Sequence, residues 1–340
     1  MKAVIFDGIG EISLKGIPEP RLESADDVII KVTTSSICGS DIHTKYKGNQ
    51  DNGKTIGHEY CGTVIETGDN VKRIKKGDRV AGRPAFSCGQ CYYCMHKQQS
   101  LCVNGGIFGV LGTQGVQAEY ARIPFADNTL AKIPDNLQDE DVIFVGDILS
   151  TGLSGLLRNQ VGLGDTVAIF GAGPVGLCAV ACAPLFGASL VISIDILDYR
   201  LEMAKRFGAI TINASGEDPV VKIKELTNNI GVDAGIEAAG SEVTIRECLK
   251  SVRRGGKASL LGLIDKPFLF DLRKRFFDIF NISMGFGDQN HMEDLIKLIA
   301  NGKLSLTPLI THVYSLDDAL TAYEIFEKRT EGCVKVLLKP

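Results

Sequence analysis

Residues 166–195, TVAIFGAGPVGLCAVACAPLFGASLVISID, decide the fold of the second half of the chain. An apolar run suited to a buried strand ends in a glycine pattern, and a helix-forming segment follows. The pattern consists of Gly171, Gly173, Pro174, Val175 and Gly176, with an alanine at position 172. The first glycine permits a tight turn, the second lets the backbone approach a pyrophosphate, and the third lets helix and strand pack closely. The helix N-terminus then offers unpaired N–H groups to phosphates. The pattern predicts a dinucleotide site; the alternative is a glycine turn without a ligand.

An acidic residue follows at the spacing that selects the cofactor. Asp195 ends the next apolar run, nineteen residues after Gly176. A carboxylate there accepts hydrogen bonds from the ribose hydroxyls and repels a 2′-phosphate, so we expect NAD rather than NADP. Arg200 is expected to flank the adenosine ribose or a phosphate. The alternative is that Asp195 only caps the helix that starts near Asp198.

Strands and helices alternate outward from this unit. The strand candidates are TVAIF, SLVISID, ITINA, VDAGIEAAG and KASLLGL, with helical segments such as RLEMAKRFGA and SEVTIRECLKSV between them. This alternation is typical of a parallel, doubly wound sheet. We therefore expect an α/β protein with a Rossmann-type domain at residues 151–287.

The first 150 residues have a different pattern. Short β-type runs such as VIIKVTTSSICG, CGTVIETG and GDRVAG are separated by Gly and Pro. They predict a twisted, partly closed β domain at residues 1–150. Residues 288–340 contain two helical patterns and a last strand, CVKVLLKP, and by pattern alone this segment packs on either domain.

Composition and charge exclude several classes of protein. The apolar and charged fractions, 44% and 23%, are those of a globular protein, and the net charge is −4. Without a dense Lys/Arg block, we expect neither nucleic acid nor a membrane as a partner. The uncharged stretch 166–194 is interrupted by glycines and prolines, which argues against a membrane span. Residues 1–10 read as a strand rather than a secretory signal, so we expect a cytoplasmic protein.

Four cysteines lie within fifteen residues. Their spacing is Cys88-x2-Cys91-x2-Cys94-x7-Cys102. Four thiolates that close a tetrahedron leave no open position, so the pattern predicts a structural zinc site that holds a loop without a core of its own. The alternative is a set of free or redox cysteines, but a redox C-x-x-C motif needs a βα context that is absent here.

Two further polar segments lie in the first domain, CGSDIH at residues 38–43 and GHE at residues 57–59. Taken singly, Cys38 is most simply a small buried apolar residue and His58 a hydrogen-bonded core histidine.

Taken together, these segments resemble the zinc-containing medium-chain dehydrogenase/reductase family over essentially the full chain. The resemblance rests, in chain order, on CGSDIH, GHE, the four-cysteine segment, GDILSTG and GAGPVG. It implies a GroES-like β domain that carries two zinc ions per chain, a Rossmann domain that binds NAD, and a C-terminal segment, 288–340, that returns to the first domain.

The family pattern also implies roles for single residues. Cys38 and His58 would be ligands of a catalytic zinc, with Asp41 orienting the His58 imidazole. Ser40 and His43 would match a proton relay.

The third zinc ligand stays open between two residues. Asp147, in VGDILSTG, resembles the carboxylate ligand of the secondary-alcohol and glutathione-independent formaldehyde dehydrogenase branches, and we favour it because Cys and His alone leave zinc under-coordinated. Its alternative role is a helix N-cap. Glu59 lies behind the zinc as a transient ligand, or is the direct ligand, as in polyol dehydrogenases. By the same resemblance, Thr151 packs near the nicotinamide.

The expected function is therefore a zinc-dependent alcohol dehydrogenase that transfers hydride reversibly between a small secondary alcohol and NAD. The alternatives are a polyol or amino-alcohol dehydrogenase, a formaldehyde dehydrogenase or dismutase, and a quinone reductase or crystallin-like NAD-binding protein. The last class lacks the zinc ligands, so Cys38 and His58 argue against it. The resemblance also implies a homodimer or homotetramer.

Overall fold

The computed structural model describes residues 1–264 and 266–340, which form two compact units. The first unit comprises Met1–Asp147 and Asp288–Pro340, and the second comprises Ile148–Gly287. The strands, in chain order, are β1 (Lys2–Gly8), β2 (Glu11–Gly16), β3 (Val28–Ile37), β4 (Glu59–Thr67), β5 (Arg79–Gly82), β6 (Ala85–Phe86), β7 (Gly106–Ile107), β8 (Tyr120–Ile123), β9 (Leu130–Lys132), β10 (Thr166–Phe170), β11 (Leu190–Asp195), β12 (Ile210–Asn213), β13 (Val232–Glu237), β14 (Val252–Leu260), β15 (Asn281–Met284), β16 (Ile310–Ser315) and β17 (Lys335–Lys339).

Helices occur in both units, and in the second unit they alternate with strands. In chain order they are α1 (Gly39–Lys47), α2 (Tyr92–Met95), α3 (Ala126–Thr129), α4 (Asp139–Val142), α5 (Ile148–Arg158), α6 (Pro174–Cys182), α7 (Asp198–Arg206), α8 (Pro219–Leu226), α9 (Glu242–Ser251), α10 (Met292–Ala300) and α11 (Ala319–Lys328). The 3₁₀ helices are Gln99–Leu101, Ala183–Phe186, Leu272–Asp278, Thr307–Leu309 and Leu316–Asp318.

The second unit is built on a parallel sheet with the strand order β12-β11-β10-β13-β14-β15. Its strands are apolar because both faces of a parallel sheet are covered by helices, and Ala168, Ile192 and Ile236 are fully buried. The chain leaves β10 for one side of the sheet and later returns to its other side at β13. Ligands of such sheets bind at the carboxyl ends of the strands at this reversal point.

The first unit is a mostly antiparallel sheet with the strand order β16-β17-β3-β4-β5-β9, and β8 also pairs with β3. Its core is formed by residues such as Val28, Ile30, Tyr60 and Phe108. The last strand, β17, lies antiparallel to β3, with Val336 opposite Ile37. This pairing places the C-terminal segment in the first unit.

The unit boundary differs slightly from the one expected at residues 150 and 151. Helix α5 begins at Ile148, so the expected boundary falls inside this helix. The shift follows from Asp147, which immediately precedes the helix and belongs with the first unit.

The uncharged stretch at 166–194 folds as β10, α6 and β11. Within the part of the chain that the structure describes, no helix has the length and apolar character needed to cross a membrane.

Candidate active site

Cys38 lies at the junction of β3 and α1. It is the N-cap residue of the helix, with an extended backbone, and its backbone N–H donates to Asp41 Oδ2 at 2.9 Å. An Asp in the first turn of a helix stabilises the helix N-terminus. The strand end and the helix start thus fix the direction of the Cys38 side chain.

His58 directly precedes β4 and is nearly buried. Its Nδ1 lies 3.2 Å from Asp41 Oδ1, and its Nε2 lies 3.1 Å from Ser40 Oγ and 3.2 Å from Asp147 Oδ2. Asp41 therefore holds one ring nitrogen, as a metal-bound imidazole requires, and leaves the other facing Asp147.

Asp147 completes the group from the start of α5. Its Oδ2 is 3.5 Å from Cys38 Sγ, and the ligand atoms of Cys38, His58 and Asp147 lie within 4.8 Å of one another. Zinc bonds of 2.0–2.3 Å in a tetrahedron place ligand atoms roughly 3.3–3.8 Å apart. The observed separations of 3.2 and 3.5 Å are close to this range, so the three donors fit a zinc ion with one position left open.

The charges of this group also favour a cation. Burial raises the pKa of the Cys38 thiol, and the carboxylates of Asp147 and Glu59 raise it further. Burial acts in the same direction on Asp147, but the hydrogen bond and charge of His58 outweigh it and lower the pKa of that carboxyl. A bound divalent cation would stabilise the thiolate and the carboxylate together.

Glu59 does not belong to the three-donor set and is paired elsewhere. Its Oε2 accepts a hydrogen bond from Lys335 Nζ, and both side chains are fully buried. Burial raises the pKa of Glu59 to about 7, although the charge of Lys335 opposes this. Lys335 was not among the residues predicted from the sequence; the feature that marks it is a charge flanked on both sides by apolar residues, in CVKVLL.

The four cysteines of the predicted structural site lie together in a loop around α2. Sγ–Sγ separations are 3.5 Å for Cys91 and Cys94, 3.9 Å for Cys91 and Cys102, and 3.5 Å for Cys88 and Cys102. Four sulfurs bound to zinc at about 2.3 Å are roughly 3.8 Å apart, so this set also fits the metal. The loop exposes Tyr92 and Met95, which shows that it lacks an apolar core of its own.

The protonation of these thiols depends on the backbone around them. N–H groups of Cys94 and Val103 lower the pKa of Cys91 to about 6. Burial, together with hydrogen bonds to Cys91 and Cys102, raises the pKa of Cys94 to about 12. Without a cation the cluster keeps some of its protons, and a metal ion would release them.

The glycine pattern adopts the geometry expected of a dinucleotide site. Gly171 has φ +98° at the end of β10, and Gly173 is the N-cap of α6, with Pro174 in the first turn. A Cβ at Gly176 would lie 1.8 Å from the Gly171 carbonyl oxygen, so only glycine allows this helix–strand approach. The N-terminus of α6 thus directly follows the end of β10 at the reversal point of the sheet, where a helix N-terminus can bind phosphates.

Asp195 lies at the carboxyl end of β11, next to this turn. Its Oδ2 accepts from Ala172 N at 2.7 Å, and its Oδ1 accepts from the N–H groups of Ile196 and Leu197. Arg200 Nη1 is 3.9 Å from Asp195 Oδ2, and the Arg200 Nε has no hydrogen-bond partner among the described residues. A carboxylate offers about four lone-pair sites, so Asp195 retains acceptor capacity for a ribose hydroxyl.

The remaining predicted residues lie on helices. His43 is on α1, one turn after Ser40, so both are on the same face of the helix. Thr151 is on α5. Its Oγ1 lies close to Gly287, since a Cβ added to Gly287 would be 2.5 Å from that oxygen.

Two family models match the chain. The alcohol dehydrogenase GroES-like domain matches residues 24–135, and the zinc-binding dehydrogenase model matches residues 174–301. The first match lies within the first unit, and the second begins in the second unit and extends to residue 301, beyond the unit boundary at Gly287. The α/β fold class, with a GroES-like domain and a Rossmann-type parallel sheet, is confirmed.

Curated relatives and solved structures cover the whole chain. An alcohol dehydrogenase of Cupriavidus necator is 35% identical over 100% of this chain and 99% of its own. An L-threonine 3-dehydrogenase of Bacillus velezensis is 36% identical with the same coverage. Among solved structures, the alcohol dehydrogenase TADH from Thermus sp. ATN1 is 37% identical over 100% of this chain and 99% of its own, with a TM-score of 0.95.

Two other similar structures contain nicotinamide cofactors. A zinc-binding dehydrogenase from Sinorhizobium meliloti bound to NADP is 30% identical, and an Escherichia coli alcohol dehydrogenase complexed with NADH is 29% identical. Each has a TM-score of 0.90 and covers 100% of this chain and 99% of its own.

Proposed function

The chain belongs to the zinc-type medium-chain dehydrogenase/reductase family, and from this premise we propose that it oxidises a small secondary alcohol to a ketone with NAD. Family membership already makes it an oxidoreductase that acts on alcohols, with zinc and a nicotinamide cofactor. We propose three further properties: a small secondary alcohol as substrate, NAD rather than NADP as cofactor, and two zinc ions per chain.

One observation carries the proposal: Cys38, His58 and Asp147 bring a thiol, an imidazole and a carboxylate within 4.8 Å of one another. Three protein ligands leave one position for substrate, whereas four close the site. The three residues come from separate parts of the chain, so their convergence is not a consequence of local sequence.

In the proposed mechanism Cys38, His58 and Asp147 would hold the catalytic zinc, and Asp41 would keep the His58 ring in place. Zinc bound there would act as a Lewis acid that polarises the alcohol or carbonyl oxygen of the substrate. The Ser40 hydroxyl, exposed beside His58 Nε2, would accept the proton that leaves the alcohol.

His43, one turn further along α1, would receive that proton next and pass it to solvent. NAD supplies the hydride acceptor. The Gly171–Gly176 turn and the N-terminus of α6 would bind its pyrophosphate, Asp195 its adenosine ribose, and Thr151 the nicotinamide end.

Asp195 supports NAD as the cofactor. Its carboxylate would repel the additional phosphate of NADP. Because similar structures contain either cofactor, family membership alone does not decide this choice.

A substrate panel tests the proposed activity. Cofactor reduction would be followed with secondary alcohols, primary alcohols, sorbitol, L-threonine and formaldehyde, with Cys38→Ala as the matched inactive control. We expect the highest kcat/KM with a small secondary alcohol. A preference for sorbitol or L-threonine would show that the substrate is a polyol or an amino alcohol instead. Consumption of formaldehyde without net cofactor reduction would indicate dismutation.

A second copy of the chain is the partner that we propose. Strand β15 lies at the edge of the parallel sheet, and exposed apolar side chains occur in it and in the residues just before it, among them Met284, Ile279, Phe277 and Phe276. Unpaired edge strands bind further strands, and a two-fold axis would let β15 pair with its own copy. Light scattering of Ile282→Lys against the unmodified protein tests this, since a charge in β15 should produce monomers.

A further inference from the structure

A buried chain of hydrogen bonds leads from His58 to helix α11 in the C-terminal segment. Asp41, which contacts His58 Nδ1 through Oδ1, accepts at its Oδ2 from Gln117 Nε2 at 3.2 Å. Gln117 Oε1 in turn accepts from the Tyr323 hydroxyl at 2.7 Å. The exposed fractions of Asp41, Gln117 and Tyr323 are 2%, 0% and 1%, so water does not replace these bonds.

The direction of each bond is fixed by the chemistry of the partners. The Gln117 amide nitrogen faces Asp41 Oδ2 and, at 3.3 Å, the Ser36 carbonyl oxygen, both of which only accept. The amide oxygen must therefore face Tyr323, whose hydroxyl must donate. Burial raises the pKa of Tyr323 well above its usual range, which keeps this donor protonated.

The backbone next to His58 leaves room for the Gln117 side chain. Gly57 has φ +90°, and a Cβ there would lie 2.3 Å from Gln117 Cγ. The Gln117 backbone is itself fixed, because its oxygen accepts from Val4 N at 2.9 Å and its N–H donates to the Ile56 oxygen at 3.0 Å. The side chain of Gln117 is therefore held against the residue that precedes His58.

We propose that Gln117 and Tyr323 are positioning residues that act through Asp41 to hold the His58 imidazole with Nε2 directed at the metal position. The Gln117 amide and the Cys38 N–H occupy Asp41 Oδ2 and leave Oδ1 for His58 Nδ1. A neutral imidazole then keeps its proton on Nδ1 and offers the Nε2 lone pair to a metal. This inference rests on the proposed zinc centre at Cys38, His58 and Asp147.

Cobalt binding tests the inference without relying on activity. The metal-free protein would be titrated with Co²⁺ in competition with a chelator, and the visible spectrum recorded. Subtraction of the Cys38→Ala variant, which retains only the four-cysteine site, isolates the open site. The variants are Gln117→Met, which keeps side-chain length but removes the amide, and Tyr323→Phe, which removes one hydroxyl. Tyr60→Phe is the matched control, because its buried hydroxyl has no hydrogen-bond partner among the described residues.

We expect Gln117→Met to weaken cobalt binding at the open site by about 10–100-fold and Tyr323→Phe by at least about threefold, each with an altered spectrum, and Tyr60→Phe to match the unmodified protein. Unchanged affinity and spectrum in Gln117→Met or, if that variant does not fold, in the near-isosteric Tyr323→Phe would overturn the inference. Equal cobalt binding by the unmodified protein and Cys38→Ala would instead overturn the proposed zinc centre itself.

Discussion

Lys335 donates from Nζ to Glu59 Oε2 and, at 2.9 Å, to the Ile37 backbone oxygen, and neither charged side chain has any exposed surface. The pair joins the last strand of the chain to the residue that follows His58. It neutralises one carboxylate beside a group that already contains Asp147. Glu59 is therefore engaged by a lysine, whereas Asp147 faces Cys38 and His58, which supports Asp147 as the third zinc ligand.

Removal of Lys335 should destabilise the protein strongly. Lys335→Met leaves the buried Glu59 carboxyl and the Ile37 oxygen without their donor, and we expect the free energy of unfolding to fall by about 3–5 kcal/mol. Lys339→Met, on the same strand, removes a half-exposed pair with Glu140 and should cost at most about 1 kcal/mol. Urea denaturation measures both. The double variant Lys335→Met with Glu59→Gln should recover part of the lost unfolding free energy. If Lys335→Met alone is as stable as Lys339→Met, the buried pair contributes little to stability.

Asp147 should be a ligand rather than a helix cap. Asn caps helices as well as Asp does but binds zinc poorly, so Asp147→Asn separates the two roles. We expect the zinc content to drop from two to one per chain and kcat to fall at least about 100-fold, with NAD binding retained. Asp147→Ala should show the same loss of zinc and kcat as Asp147→Asn. Two zinc ions and normal turnover in Asp147→Asn would leave Asp147 as a cap and make Glu59 the leading third ligand.

Substitutions in the four-cysteine site should lower the stability of the fold, and any loss of activity should follow from that. Cys91→Ser should lose the structural zinc and lower the melting temperature, because metal bonds replace an apolar core in this loop. A chelator should lower the melting temperature of the unmodified protein and of Cys182→Ala, a buried thiol outside the site, but should change Cys91→Ser less. Equal chelator sensitivity of all three proteins would show that the loop does not depend on metal.

Cofactor choice should depend on Asp195. Asp195→Asn combined with Ile196→Arg removes the carboxylate charge and adds a cation at an exposed position, while the one amide oxygen can still accept from the N–H groups of residues 196 and 197. The ratio of kcat/KM for NADP to that for NAD should rise at least about tenfold, which corresponds to about 1.4 kcal/mol. Asp198→Asn removes a charge three residues away and should leave the ratio unchanged. If the unmodified protein already prefers NADP, the role assigned to Asp195 is wrong.

The stability of the protein should depend on pH in part through the Glu237 carboxyl. This buried carboxyl accepts from the N–H groups of Ala239 and Gly240 and from Thr244, yet burial outweighs them and raises its pKa. A raised pKa favours the protonated form in the folded state, so the contribution to stability is complete below the unfolded pKa of about 4.3 and is lost as pH rises through the folded value. Glu237→Gln mimics the protonated form. It should therefore gain stability relative to the unmodified protein at pH 7, and the gain should shrink toward pH 4; a difference independent of pH would contradict this.

Local sequence determined the parts of this protein whose residues lie close together in the chain. Gly171, Gly173 and Gly176 define a turn whose geometry depends on its own backbone. The cysteines from Cys88 to Cys102 converge because fifteen residues cannot separate them far. Alternating patterns likewise predicted the parallel sheet, since burial on both faces imposes apolar strands.

Tertiary structure alone decided which distant residues meet. Cys38 and Asp147 are 109 positions apart, and only the resemblance to a family, not their spacing, suggested that they meet. Gln117, Tyr323 and Lys335 gave no recognised signal, because a buried polar side chain is identified by its partners and those lie up to 298 residues away. Sheet pairing supplied the contacts: β17 beside β3 places Lys335 behind Glu59, and burial there requires each polar group to find a partner within the fold rather than in water.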